Sequence, residues 1–121
     1  MQNSKKVLIV EDERPLAHAL ELKLQNEGYS TAVARSGQEA LDAVQTDRYD
    51  VMLLDLIMPG IDGFQVLQQL TGSPNRPTTI FVLSNLSQRE DEDRVIALGA
   101  KKYFIKSNTS LSTIVEEVKA A

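Results

Sequence analysis

The chain has 121 residues, of which 42% are apolar, enough for one domain with a real core. Seventeen acids against thirteen Lys and Arg give a net charge of -4, an ordinary balance with no basic face, which argues against direct binding of DNA or RNA by this chain. The absence of cysteine excludes a disulfide framework and a thiolate metal site. The apolar run after Lys6 is far too short for a signal peptide or a membrane span, so a cytoplasmic protein with no membrane partner is expected.

The first apolar run, residues 7–10, reads as a strand and stops at Glu11 and Asp12. A helix follows, with Pro15 in its first turn, Leu16, Leu20 and Leu24 on one face, and Gly28 at its C-terminal cap. Residues 31–34 form a short second strand that ends at Arg35 and Ser36, without an obvious reactive group. Ser36 and Glu39 make a capping box that opens a helix burying Ala40, Leu41 and Val44. The third strand, 51–54, runs into Asp55. Asp62 with Gln65 caps a helix whose face is Phe64, Leu67 and Leu70, and a breaker-rich loop covers 72–77. The fourth strand, 80–83, runs into Ser84. Ser87 and Glu90 form another capping box, opening an acidic helix that ends near Gly99. A last strand, 103–105, runs into Lys106, and a final helix buries Leu111, Ile114, Val115 and Val118. Short Val, Ile and Leu runs alternating with helical segments imply βαβ units, a parallel sheet and one domain over 1–121.

If those runs are parallel strands, their C-terminal ends share one edge of the sheet, where open α/β sheets bind ligands. That edge would hold Glu11, Asp12, Asp55, Ser84 and Lys106, with the second strand an edge strand away from them. Three crowded carboxylates repel, and a hard divalent cation relieves them; magnesium suits best, since it takes one or two carboxylates and keeps waters for a phosphate ligand. An ammonium and a hydroxyl suit the outer oxygens of a phosphoryl group. Together they point to phosphoryl transfer with a carboxylate nucleophile.

Each residue also has an ordinary explanation. Glu11 and Asp12 suit the start of a helix dipole, and Asp55 suits the start of a turn before Met58, Pro59 and Gly60. Lys106 alone reads as solvated, Ser84 as a cap or loop hydroxyl, and Tyr103 as a half-buried strand residue. Only their convergence on one edge favours chemistry. His18 reads as a surface or boundary residue, and the acids 90–93 as a solvated helix start.

The sequence Val10-Glu11-Asp12, the stretch from Asp55 to Gly63, Leu83-Ser84 and Tyr103-Phe104-Ile105-Lys106 resemble, in order and spacing, the receiver domain of two-component response regulators. The resemblance spans essentially the whole chain. It implies a flavodoxin-like (βα)5 doubly wound fold with strand order 2-1-3-4-5. It further implies that Asp55 is the phosphoacceptor, taking a phosphoryl group from a histidine kinase or a histidine phosphotransfer protein. Asp12, Asp55 and the backbone carbonyl of Ile57 would ligate Mg2+, and Glu11 would act through a metal-bound water. Lys106 would pair with Asp55 and then with the phosphoryl oxygens. Ser84 would swing toward that group, Tyr103 would turn inward behind it, and the face of the fourth helix, fifth strand and fifth helix would signal to an effector protein or a fused output domain. Such a protein catalyses its own phosphoryl transfer and slow dephosphorylation without being a classical enzyme.

The chain departs from the family pattern at several positions. Ser107 stands where proline normally follows the lysine in a cis peptide; trans is the default before a non-proline residue. Asn85 stands where the family usually has Ala or Gly, and would either narrow the phosphoryl pocket or offer it another hydrogen bond. The rim positions Ile57 and Leu86 are apolar, which implies a long-lived phosphoryl group. Lys101 and Lys102 replace acids that form dimer salt bridges in the DNA-binding branch, weakening the case for that dimer. An aspartate-nucleophile phosphatase is the alternative enzyme reading, but its general acid would fall at Ile57. A nucleotide or flavin binder would need a glycine-rich or Walker sequence, and neither is present. A receiver that has lost phosphorylation would have lost site residues, whereas all five positions here carry competent side chains.

Overall fold

The structure is a computed structural model that describes residues 5–86 and 88–121. Five strands, β1 (Lys6–Val10), β2 (Ser30–Ala34), β3 (Val51–Asp55), β4 (Thr79–Ser84) and β5 (Lys102–Ile105), form one parallel sheet in the order β2-β1-β3-β4-β5. Between and after them lie α1 (Arg14–Asn26), α2 (Gly37–Thr46), α3 (Gly63–Leu70), α4 (Arg89–Ala97) and α5 (Leu111–Ala120). This is the fold and strand order expected from the sequence, with β2 at an edge.

The largely apolar character of the inner strands β1, β3 and β4 follows from burial on both faces. Successive strand residues point to opposite sides. Leu8, Val10, Met52, Leu54, Ile80 and Val82 pack with residues of α2, α3 and α4, while Val7, Ile9, Val51, Leu53, Phe81 and Leu83 pack with residues of α1 and α5. Each such side chain taken fully out of water contributes about 1.5–3 kcal/mol before chain entropy is subtracted.

The helices start largely as the sequence implies. Asp62 and Gln65 make both halves of a capping box, at 2.9 and 3.0 Å. Ser36 Oγ accepts from the Glu39 N–H at 3.1 Å, but the Glu39 carboxylate accepts from Arg35 N–H instead of Ser36 N–H, so only half of that box forms. The box at Ser87 and Glu90 rests on Ser87, which lies outside the described residues. On α1 the buried residue of the first turn is Ala17, with Leu16 half-buried beside it; Leu41 and Leu111 are likewise half-buried at the margins of the core. Gly28 ends α1 with φ +92°, a left-handed conformation that favours glycine. His18 is exposed, as a surface residue should be. No helix among the described residues is long and apolar enough to cross a membrane.

Register brings the strand ends into line. Val10 pairs with Leu54, so Glu11 and Asp55 are the next residues on adjacent strands. Asp55 pairs with Leu83, and Ser84 pairs with Ile105, which places Ser84 and Lys106 one step further along β4 and β5. The chain leaves β1 toward β2 on one side and takes up β3 on the other. The crevice opened by that reversal is where α/β sheets place ligands.

Candidate functional site

Glu11 and Asp55 are almost fully buried, at 2% and 4% exposure, whereas Asp12 is exposed. Burial is imposed by their position: both directly end apolar strands in the middle of the sheet. Glu11, Asp12 and Asp55 each offer a carboxylate oxygen within 4.8 Å of the others. Gly63 lets α3 start close against this site, since a Cβ there would meet the Asp55 carbonyl oxygen at 2.5 Å and Leu56 Cα at 2.7 Å.

Lys106 reaches the acids from the end of β5. Its Nζ lies 2.7 Å from Glu11 Oε1, 3.2 Å from Asp55 Oδ2 and 3.5 Å from Glu13 Oε2. Backbone donors steady the two buried carboxylates. Glu11 Oε2 accepts from Glu13 N–H at 3.1 Å, and Asp55 Oδ1 accepts from Ile57 N–H at 3.3 Å. Burial nevertheless pushes Glu11 up to about 7, against the opposing pull of Lys106 and the Glu13 N–H. Burial also raises Asp55, with Lys106 and the Ile57 N–H resisting. For Lys106 burial works against the charge, but Glu11 and Asp55 outweigh it and hold the ammonium above its ordinary range.

One ammonium thus serves a cluster with more negative charge than it can neutralise. Glu11 Oε1 is buried, with the Lys106 ammonium 2.7 Å away as its cationic partner. An all-oxygen donor set of three carboxylates suits a hard divalent cation. The acidic cluster is able to hold a metal.

A pocket of about 280 Å3 opens over these groups, lined by Asp12, Glu13, Asp55, Ile57, Asn85 and Lys106. Ile57 is 57% exposed at its rim. Ser84 is fully buried, and Asn85 rather than Ser84 lines the pocket. Ser84 Oγ accepts from Leu86 N–H at 3.2 Å, and the Tyr103 hydroxyl donates to the Leu86 carbonyl. Both side chains are therefore tied to the backbone of one half-buried loop residue. The Tyr103 phenol is held above its ordinary range, mainly by burial, with the adjacent Ser84 hydroxyl opposing.

Asn85 and Ser107, both departures from the family pattern, are joined to each other: Asn85 Oδ1 accepts from Ser107 N–H at 3.1 Å. No cis peptide occurs among the described residues, so the Lys106–Ser107 bond is trans. Of the two lysines before β5's aromatic pair, Lys102 binds Glu117 of α5 at 2.8 Å, so its charge is engaged within the chain, and Lys101 is exposed.

Glu13 is the site residue the sequence reading missed. It follows the predicted strand end by three residues, and neither the strand-end pattern nor the family motif assigned it a role. The signal was the third acid of the run Glu11-Asp12-Glu13. The fold turns it back so that its N–H supports Glu11 and its carboxylate meets Lys106.

Residues 7–119 match the response regulator receiver domain family. The chain is 33% identical over 115 residues to the uncharacterized transcriptional regulatory protein YkoG of Bacillus subtilis (strain 168), a match covering 95% of this chain and 50% of that protein. It thus spans about half the length of the curated relatives it matches. Among solved structures it is similar to the receiver domain of the Francisella response regulator 1452, with a TM-score of 0.88 and 31% identity over 97% of this chain and 95% of the other. It is also similar to the phosphorylated cyanobacterial phytochrome response regulator RcpA, with a TM-score of 0.83 and 27% identity over 98% and 91% of the two chains. Sequence, fold and strand-end geometry agree, and the chain belongs to the response regulator receiver domain family.

Proposed function

We propose that this chain is a phosphoryl-accepting switch in which Asp55 is the nucleophile. The observation that carries the reading is the contact of the buried Asp55 Oδ2 with Lys106 Nζ at 3.2 Å, inside a cluster of three acids. A structural neighbour described as phosphorylated supports it. The donor is a phosphohistidine of a histidine kinase or a phosphotransfer protein. An Asp55 carboxylate oxygen attacks phosphorus, the P–N bond breaks, and its electron pair leaves with the imidazole nitrogen, which ends protonated. The product is an acyl phosphate on Asp55.

Asp12, Asp55 and the Ile57 carbonyl would hold Mg2+, with Glu11 acting through a metal-bound water. When bound, the ion neutralises charge on the phosphoryl oxygens. Lys106 holds Asp55 before transfer and the new phosphoryl oxygens afterwards. Hydrolysis of the acyl phosphate is slow self-catalysis; the apolar rim of Ile57 and Leu86 keeps water from it.

Ser84 leaves the Leu86 N–H to donate to the phosphoryl group. Tyr103, tied to the carbonyl of the same residue, follows, and the face of α4, β5 and α5 changes shape. This is a local contact biasing a bistable element. Its reader is a downstream effector protein or a fused output domain, and the setting is cytoplasmic. Residues 1–121 serve as one receiver unit.

The test is mass spectrometry after incubation with acetyl phosphate and magnesium. A single labile phosphoryl adduct is expected, and Asp55→Asn should abolish it. An adduct that survives Asp55→Asn would falsify the assignment.

A further inference from the structure

Asn85 lines the same pocket as Asp55 and Lys106, and its side chain is anchored by one hydrogen bond to the Ser107 backbone. A backbone N–H can only donate, so the carboxamide atom that meets Ser107 N–H at 3.1 Å must be the oxygen. The amide NH2 is thereby left on the other side of the group, and it makes no hydrogen bond among the described residues. The anchor exists because position 107 is not proline and so retains its N–H. The two departures from the family pattern are thus one device. An Ala at 85 would have nothing to offer Ser107, and a proline at 107 would have nothing to offer Asn85.

We propose that Asn85 is a further anion-binding residue of the pocket, its amide oriented by Ser107 so that the NH2 donates to an oxygen of the group carried on Asp55. The inference rests on the phosphoryl-accepting reading above. It selects the second of the two roles open to a larger side chain here, an added hydrogen bond rather than a narrower pocket. The ligand chemistry is a tetrahedral oxyanion or its fluoride mimic, covalently or coordinately joined to the Asp55 carboxylate. A donor with one face already fixed costs little ordering on binding.

Two variants separate this role from a merely structural one. Asn85→Asp keeps the oxygen that receives the Ser107 N–H but replaces the donor with an acceptor. Asn85→Ala removes both. Because residue 85 is exposed, both should fold, which circular dichroism melting checks. The measurement is titration of the full chain with beryllofluoride at saturating Mg2+, read by intrinsic tyrosine fluorescence or by NMR. Asn85→Ala should weaken binding by about tenfold or more, the low end for one hydrogen bond to a charged acceptor. Asn85→Asp should weaken it more than Asn85→Ala. In the wild type, the Asn85 side-chain NH2 resonances should shift on saturation. Wild-type affinity in Asn85→Asp would mean that residue 85 only latches the two loops, and unchanged affinity in Asn85→Ala would mean it does nothing in the site; either overturns the proposal while leaving Asp55 as acceptor. Failure of the wild type to bind beryllofluoride at all, with no adduct from acetyl phosphate, overturns the phosphoryl-accepting reading itself and this inference with it.

Discussion

Lys106 Nζ stands closer to Glu11 than to Asp55, 2.7 Å from Glu11 Oε1 against 3.2 Å from Asp55 Oδ2. The ammonium therefore does two jobs: it steadies Asp55, and it supplies positive charge to Glu11. Replacing it exposes the second job. Lys106→Met should cost the metal-free protein about 3 kcal/mol, since removing one partner strands buried carboxylates. The variant should also gain more stability from Mg2+ than the wild type does. Thermal unfolding in chelator and in saturating magnesium checks both, and equal magnesium gains in the two proteins would remove this account.

The pH dependence of the metal-free fold has a definite sign. Glu11 is raised from an ordinary 4.5 to about 7 in the folded chain. Between those values the native state holds a proton that the unfolded state has released, so stability from this group falls as pH rises. The raised Asp55 acts in the same direction. Lys106, also raised, loses its contribution only above its ordinary 10.5 and does not alter this window. In chelator, Tm should decline from pH 5 to pH 8, and Glu11→Gln should flatten that decline. Magnesium, which needs the deprotonated acids, should bind more tightly at pH 8 than at pH 6. A Tm that rises steadily over this window in chelator would contradict the argument.

Ser84 and Tyr103 are both tied to the backbone of Leu86. Ser84→Ala removes an acceptor from the Leu86 N–H and should destabilise the chain by about 1 kcal/mol. It should leave Asp55 able to form its adduct, since the nucleophile and Lys106 are untouched. What should disappear is the response of Tyr103. Carbon-13 labelled tyrosine would report a change on adding beryllofluoride in the wild type and none at Tyr103 in the variant.

The exposed Ile57 at the pocket rim offers an incoming water no hydrogen bond. The acyl phosphate should therefore last for minutes or longer, and Ile57→Asn should shorten its life by at least about tenfold, a change of about 1.4 kcal/mol in the barrier. Decay of the labelled adduct in chase buffer measures this. A wild-type half-life of seconds would reject the role given to the rim.

Gly63 has no room for a side chain, because a Cβ would press into the Asp55 carbonyl at 2.5 Å. Gly63→Ala should displace the start of α3 and cost about 1–3 kcal/mol, the usual penalty of overpacking. It should also slow adduct formation at Asp55, although residue 63 carries no reactive group. Chemical denaturation and acetyl phosphate kinetics test the two effects separately.

The sequence by itself determined the five strands and their helices, and it singled out Glu11, Asp12, Asp55, Ser84 and Lys106, because four of the apolar runs stop at a polar residue. Periodicity also reported which helix faces are buried, erring at margins such as Leu41 and Leu111, where hydrophobicity does not say how deep a neighbour will cover it. Strand order came from family resemblance, since alternation alone allows several parallel sheets. Tertiary structure decided the rest through contacts between residues far apart in the chain. It gave Lys106 to Glu11 as well as Asp55, turned Glu13 back into the site, tied Ser84 and Tyr103 to Leu86, and joined Asn85 to Ser107. Local pattern fixes what a residue can do; which partner it meets depends on sheet register and loop path, and neither is written in the neighbouring residues.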